Sequence, residues 1–485
     1  MQTRCLRYVF SVNGSVKIMA LILTLGEIVR SLGESARYVG DQTVLTRRAT
    51  ALSTDSRACG AEALFIALRG DRFDGHNFIA DVFAKQALAA IVDAQWFQSN
   101  QKAFGNFIIV ADTLAALQKL GSTIRKRWGK NIVAITGSNG KTTTKEMIAS
   151  VLQQKFFTHK TTGNLNNHLG VPLTLSELTY GPEVAVVEMG TNHFGEIAAL
   201  CEIAAPNFGV ITNVGRAHTE FFGDLAGVAK AKAELFEYLH RNDGISFLNA
   251  DDAHLRAALP SGAKAITFGI DKPAQYQGKV LGLDENGCVQ LEVQKTQIRL
   301  NVPGLHHSHN ALAAVAIGSF LGVPMTGIKK GLESFEVPAK RMQVQRMHGV
   351  TIINDAYNAN PESMRAALQF LAAMSPAEHG RRIAIVGDML ELGPHTDEYH
   401  REIGEFITTL PLQAVFAFGP HMKHLVQAIG QYCWAEHFEE KSKLFAEVNR
   451  SVRPGDVLLL KGSRGMAMEE VIANLAFSYQ PSAIS

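Results

Sequence analysis

The chain has 485 residues, of which 46% are hydrophobic, so it exceeds one ordinary core and a length prior suggests about three domains. Its 47 Lys and Arg nearly balance its 45 Asp and Glu, and the resulting charge of +2 gives no electrostatic reason to expect nucleic acid. Five scattered cysteines without any Cys-x-x-Cys spacing argue against a disulfide framework or a zinc site, and no apolar run reaches the roughly 20 residues of a membrane span. Free thiols, a cytoplasmic location and a monomer are expected.

Residues before Met19 lack periodicity and read as a tail, with Met19 a second candidate initiator. Ile18 to Leu25 imitates a short signal-peptide core. However, Thr24 and Glu27 form a capping box, and Leu25, Ile28, Val29 and Leu32 share one helical face before Gly33, which predicts a first helix. A small α/β region follows to about residue 112. It contains Ser53, Asp55, Ser56 and Arg57, the strand 63–68, the segment Arg72-Phe-Asp-Gly-His76, a helical pattern to about Ala87 and the strand 89–92. Asp, Ser, Arg and Gly at such places are ordinary turn residues; read functionally, they make a hydrogen-bonding cradle for a polar ligand.

The central region, about 113–338, alternates strands and helices as a doubly wound, mostly parallel sheet does. Its focal stretch is the apolar run to Ile135 followed by Gly137-Ser138-Asn139-Gly140-Lys141-Thr142-Thr143, after which Met147, Ile148, Val151 and Leu152 fall at helical spacing. Strand, tight loop and helix N-terminus converge backbone N–H groups on an anion, Lys141 adds a cation, and Thr142 offers a hydroxyl to Mg²⁺. The expected ligand is a nucleoside triphosphate, although Ile135 stands where the strict phosphate-loop expression wants Gly. Asn164 and Asn167 lie in an amide-dense stretch too polar for a core. Glu188 and His218 each follow a strand of the same sheet, the edge where open α/β sheets bind ligands, and both suit Mg²⁺. On the helix 229–239, Lys230 and Lys232 point to different faces.

The third region begins near Ala339. Strands 351–353, 383–386 and 457–460 feed polar loops at Asn354 to Asn360, Gly387 to Gly393 and Lys461 to Gly465, with Asn360 as a helix cap before Pro361. Each loop alone is ordinary turn chemistry; together they predict a cleft facing the central domain.

These motifs resemble the Mur ligase family. The phosphate loop, Val-Glu188-Met-Gly, Asn213-Val-Gly-Arg-Ala-His218, His309-Asn310 and Lys340-Arg341 are similar to its shared core, and the three C-terminal loops are similar to the member that adds D-alanyl-D-alanine. The resemblance implies three open α/β domains at 19–112, 113–338 and 339–485: a UDP-substrate domain, a central ATPase and a Rossmann-like domain. It implies that ATP phosphorylates the terminal carboxylate of UDP-N-acetylmuramoyl-tripeptide and that D-alanyl-D-alanine attacks the acyl phosphate. Lys141, Lys232 and His218 would be catalytic. Gly137 to Thr143, Asn310, Arg341 and Asp355 would contact ATP. Ser53, Asp55, Ser56, Arg57, Asn164 and Asn167 would bind the UDP-substrate, and Asn358, Asn360 and Lys461 the dipeptide. Thr142, Glu188, His218 and Lys232, the last as a carbamate, would hold two Mg²⁺. Another Mur ligase, a folylpolyglutamate synthase and a nucleotide-dependent switch or motor are the alternatives, the last disfavoured by the lack of a coiled coil or extended basic surface.

Overall fold

The computed structural model describes residues 11–12, 15–16, 20–70, 73–337 and 339–475, so the tail reading, Met19, Arg72 and Pro338 lie outside the described residues. Among the described residues three main sheets follow one another along the chain, beside two short two-stranded pairs. The first places Arg37–Val39 antiparallel to Phe107–Val110, which is followed by Ala89–Asp93, Leu64–Ile66 and Leu52–Ser53 in parallel. The expected helix at Thr24 is present as Leu25–Leu32, with the Thr24 and Glu27 side chains capping reciprocally and Gly33 ending it at φ 99°.

The central sheet has nine strands. Thr158–Lys160, Val184–Glu188, Asn131–Thr136, Phe208–Ile211, Ile245–Asn249 and Ala265–Gly269 run parallel, and Tyr276–Leu283, Cys288–Val293 and Thr296–Pro303 extend the far edge. Strand Asn131–Thr136 alternates its side chains between two layers: Ile132 and Ala134 join one core, and Val133 and Ile135 the other. Its neighbours are Val184–Glu188 and Phe208–Ile211, with Ile135 paired to Glu188 and Thr136 to Ile211. The loops after these three strands are therefore side by side at the carboxyl edge.

Helix Thr113–Trp128 joins the first two sheets. Asp112 caps it by accepting the Leu114 and Ala115 N–H groups, and Gly129 ends it in the left-handed conformation. Leu117, Leu120 and Ile124 recur at helical spacing and enter one core with Leu64 and Ile91 of the first sheet and Ile132 and Val187 of the second. Burying each such side chain stabilises by about 1.5–3 kcal/mol, and truncating Leu120 to Ala would cost about 2–5 kcal/mol. Gly121 lets the helix approach Pro172, whose Cα lies 2.9 Å from where a Cβ would stand.

In the third sheet Gln343–Met347 lies antiparallel to Val350–Asp355, followed in parallel by Val457–Lys461, Arg382–Gly387, Ala414–Phe418 and Trp434–Phe438. Lys461 pairs in register with both Asp355 and Val386, which brings the three expected polar loops to one edge. Asn360 caps the helix Pro361–Ala373 and Pro361 opens it, as the sequence predicts. Cys59, Cys201, Cys288 and Cys433 are unbridged. Among the described residues no helix is long and apolar enough to cross a membrane.

Candidate active site

The carboxyl edges of the second and third sheets face each other across a cleft of about 700 Å³. Its floor is the loop from Gly137 to Gly140. Gly137 has φ +144° and passes so close to Thr212 that a Cβ would meet its Oγ1 at 1.9 Å; Gly140, at φ +79°, serves as N-cap of helix Lys141–Leu152 without a side-chain cap. The loop is held from its flank. Ser138 Oγ donates to the Gly215 carbonyl at 3.0 Å and accepts its N–H at 2.9 Å, while the Asn213 side chain accepts the Asn139 N–H at 3.0 Å and donates to the Asn139 carbonyl at 3.0 Å. Such a loop at a helix N-terminus is preorganised for phosphate oxygens.

Lys141 Nζ donates to the Gly137 carbonyl at 2.7 Å, over the loop that it would serve. Burial lowers its pKa, opposed by the Glu188 charge. Thr142 Oγ1 donates to Glu188 Oε1 at 3.2 Å, and Asn166 Nδ2 donates to the same oxygen at 2.9 Å. Glu188 is 1% exposed, and its second oxygen, Oε2, is buried without a hydrogen-bond partner. Lys145 Nζ lies 3.8 Å from that oxygen. A carboxylate oxygen without a hydrogen bond beside a threonine hydroxyl at a phosphate loop fits a divalent cation. Among the described residues no three His, Cys, Asp or Glu side chains converge on a metal, so the fit is to an ion shared with substrate oxygens rather than to a closed protein cage.

His218, at φ +58°, places Nδ1 2.5 Å from Glu391 Oε2, a contact between the central and third domains. The His218 hydrogen bond holds the Glu391 carboxyl below the usual range. On helix Leu225–Arg241, Lys232 is 1% exposed, and burial, aided by the Lys141 charge, lowers its pKa to about 7. Lys230 instead lies exposed above the Phe194 ring, 5.8 Å from its centroid.

Opposite, Lys461 Nζ donates to Asp355 Oδ2 at 2.5 Å and to the Asn358 carbonyl at 3.0 Å, and Asp355 Oδ1 accepts the Met342 N–H at 3.0 Å. Arg341 stacks 3.8 Å above Tyr357. Asn310 donates to His307 Nδ1 at 3.0 Å and lies against Gly140. Asn360 and Asn139 exchange side-chain amide hydrogen bonds of 2.8 and 3.3 Å.

The expected phosphate-loop, metal and dipeptide residues thus gather around one cleft, with Lys232 buried behind it. Two expectations are not brought there. Asn164 is exposed and does not line the cleft; Asn166 takes the contact with Glu188, and Asn167 lines the cleft while its Oδ1 accepts the Leu169 and Gly170 N–H groups. Ser53, Asp55, Ser56 and Arg57 lie in the first domain outside the cleft lining, where Asp55 and Arg57 form a bidentate pair at 2.9 and 3.0 Å. His76 of the first domain is buried between Asp74 and the Asp93 N–H, a framework role. Lys145 is legible in retrospect, four residues after Lys141 on the same helix. Asn166 carries no signal that separates it from its neighbouring asparagines.

Fold and site together define a nucleotide-binding α/β protein whose phosphate loop is faced by a Rossmann-like domain. The chain belongs to the Mur ligase family. Residues 48–123 match the Mur ligase family catalytic domain, 135–318 the Mur ligase middle domain and 340–464 the Mur ligase glutamate ligase domain. It is 34% identical to the UDP-N-acetylmuramoyl-tripeptide--D-alanyl-D-alanine ligase of Bacillus subtilis, over 94% of this chain and 98% of that one, and 36% identical to the Escherichia coli enzyme of the same name, over 88% and 93%. A crystal structure of MurF from Acinetobacter baumannii superposes with a TM-score of 0.82 at 31% identity, covering 95% of this chain and 99% of that one. The MurF ligase of Thermotoga maritima in complex with ADP gives 0.75 at 29%, covering 88% and 96%.

Proposed function

We propose that the chain joins D-alanyl-D-alanine to UDP-N-acetylmuramoyl-tripeptide at the expense of ATP, in the cytoplasm, as a step in making peptidoglycan precursor. The observation that carries this reading is the cleft itself: a phosphate loop on one wall, and on the other the Asp355, Asn358 and Lys461 cluster. Phosphoryl transfer needs positioning and charge neutralisation rather than a protein nucleophile, which suits this lining. The tripeptide carboxylate attacks the γ-phosphorus and ADP leaves; the dipeptide amine then attacks the acyl carbon and phosphate leaves.

The chain's own groups divide that work. Loop N–H groups and Lys141 orient the β- and γ-phosphates, Asn310, Arg341 and Asp355 hold the rest of the nucleotide, and Asn358, Asn360 and Lys461 hold the dipeptide. Asn167 lines the path of the muramoyl-peptide, and the Ser53 to Arg57 loop takes the UDP end. Thr142, Glu188, His218 and a carbamate on Lys232 would hold Mg²⁺, which when bound supplies charge neutralisation to the transferring phosphate. The Glu188 oxygen that lacks a hydrogen bond supports the first ion. Lys232, buried and uncharged above about pH 7, has the free amine that takes up carbon dioxide. The domain divisions at 112 and 338 belong to the same proposal.

ADP release with each substrate omitted in turn tests the reaction. It is expected only when ATP, UDP-muramoyl-tripeptide and D-alanyl-D-alanine are all present; turnover with D-glutamate, meso-diaminopimelate or a folate acceptor instead would move the chain to another ligase. ATP hydrolysis without any acceptor would favour a switch or motor.

A further inference from the structure

Arg216 stands between Gly215 and Ala217 of the cleft lining but is not itself part of it. Its hydrogen bonds, ion pairs and ring contact among the described residues go to the third domain. The Arg216 N–H donates to Glu362 Oε2 at 3.0 Å, the guanidinium donates to Glu402 Oε2 at 2.9 Å, and its plane lies 4.9 Å from the Tyr399 ring centroid. Glu362 belongs to helix Pro361–Ala373, and Glu402 and Tyr399 to helix Thr396–Ile407, so one residue grips two helices of the opposing domain. Arg365 also reaches Glu402, at 3.4 Å. Side chains at this grip are one quarter to two fifths exposed, so their charges are only partly screened by water.

The grip has a second end. Gly215, next in the chain, exchanges both backbone hydrogen bonds with Ser138 of the phosphate loop. Seating of the third domain on Arg216 is therefore linked through one residue to the loop that holds the nucleotide.

We infer that Arg216 is a positioning residue, a clamp that holds the third domain closed over the phosphate loop and thereby completes the dipeptide site. The inference rests on the proposed ligation for its substrates, but the clamp itself is a property of the two domains. Because the Arg216 side chain does not line the cleft and its backbone bond to Glu362 survives substitution, loss of the guanidinium acts through closure: KM for D-alanyl-D-alanine, whose groups lie on the third domain, rises by about fivefold or more, whereas KM for UDP-muramoyl-tripeptide changes little.

The test compares wild type with Arg216→Ala, Glu402→Ala and the charge-keeping Arg216→Lys in the full chain. Kinetics are measured with all three substrates, and small-angle scattering is measured with a non-hydrolysable ATP analogue and the UDP-muramoyl-tripeptide. The clamp predicts a larger radius of gyration and a raised dipeptide KM in Arg216→Ala and Glu402→Ala, with thermal midpoints kept, and recovery of most of both in Arg216→Lys. Unchanged scattering and an unchanged dipeptide KM in Arg216→Ala overturn it, as does an Arg216→Lys variant no better than Arg216→Ala. If wild type does not ligate the dipeptide, the functional reading fails and scattering still decides the clamp.

Discussion

Asn139 of the phosphate loop and Asn360 of the third domain face each other as a reciprocal amide pair, each side chain both donating to and accepting from the other. Asn360 meanwhile accepts the Ser363 N–H as a helix cap at 2.9 Å. Domain contact and helix start thus depend on the same side chain. Replacing Asn360 by Ala should cost about 1 kcal/mol through the lost cap and lower kcat/KM through the lost contact; Asn139→Ala should lower kcat/KM with the thermal midpoint kept. Melting curves and steady-state kinetics on both variants check this.

Lys141→Ala should abolish ligation while leaving the fold intact, because the residue serves charge at the cleft and supports no core. Charge stabilisation of this kind is worth on the order of 10²–10³ in rate. Near-normal ADP release by a variant with an unaltered circular dichroism spectrum would show that the loop does not cradle the phosphates.

The contrasting environments of Lys232 and Lys230 predict opposite mutational outcomes. Two residues apart on a helix they are separated by roughly 200°, and Lys232 alone is buried. Lys232→Ala should be inactive and partly rescued by a short carboxylic acid, whereas Lys230→Ala should be mild. Mass spectrometry and kinetics with added bicarbonate give independent readings; a rescue confined to Lys230→Ala would transfer the role.

Gly137→Ala should weaken nucleotide binding strongly. The new methyl would collide with Thr212 Oγ1, which anchors the Asn139 carbonyl, and the residue would retain a φ of +144° that side chains rarely adopt. Titration with a fluorescent ADP analogue would read the loss. An affinity within about twofold of wild type would contradict the packing argument.

Two histidines away from the cleft predict acid sensitivity. His159 contacts the Thr174 carbonyl at 2.9 Å, and His400 sits between the Thr396 carbonyl at 2.7 Å and the Met389 N–H at 3.0 Å. Burial holds both near about 4, below the ordinary 6.5. The unfolded chain therefore binds more protons between those values: stability is full above about pH 6.5 and falls as pH drops towards 4, by up to about 1.4 kcal/mol per pH unit for each residue. Denaturant midpoints from pH 7.5 to 4.5 should show the fall, with a shallower slope in His400→Gln.

What could be read from the chain alone follows the range of the interactions involved. The Thr24 and Asn360 caps and the strand, loop and helix around Lys141 are set by neighbours within a few residues, and all three are found as expected. The placement of Glu188 and His218 at the cleft is legible because a strand delivers its next residues to a known edge. Illegible were contacts that tertiary packing alone decides. Asn166 rather than Asn164 meets Glu188, Asp55 and Arg57 neutralise each other, and Arg216 finds its partners only when a later domain folds against it. The antiparallel extension 276–303 likewise adds to the mostly parallel sheet without a motif to announce it.

The helix Thr113–Trp128 has a practical consequence for dissecting the protein. Its apolar stripe joins the first and central domains in one core, so a fragment ending at residue 112 would uncover helix Leu25–Leu32 and strand Ala89–Asp93, and one beginning at residue 130 would uncover helices Gly170–Ser176 and Glu196–Ala204. Neither piece would keep a complete interior, and both would be prone to aggregate. A cut between residues 337 and 342 severs no such shared stripe, since the third sheet fills its own two layers. Limited proteolysis should therefore release the third domain as a soluble fragment and leave the first two as one.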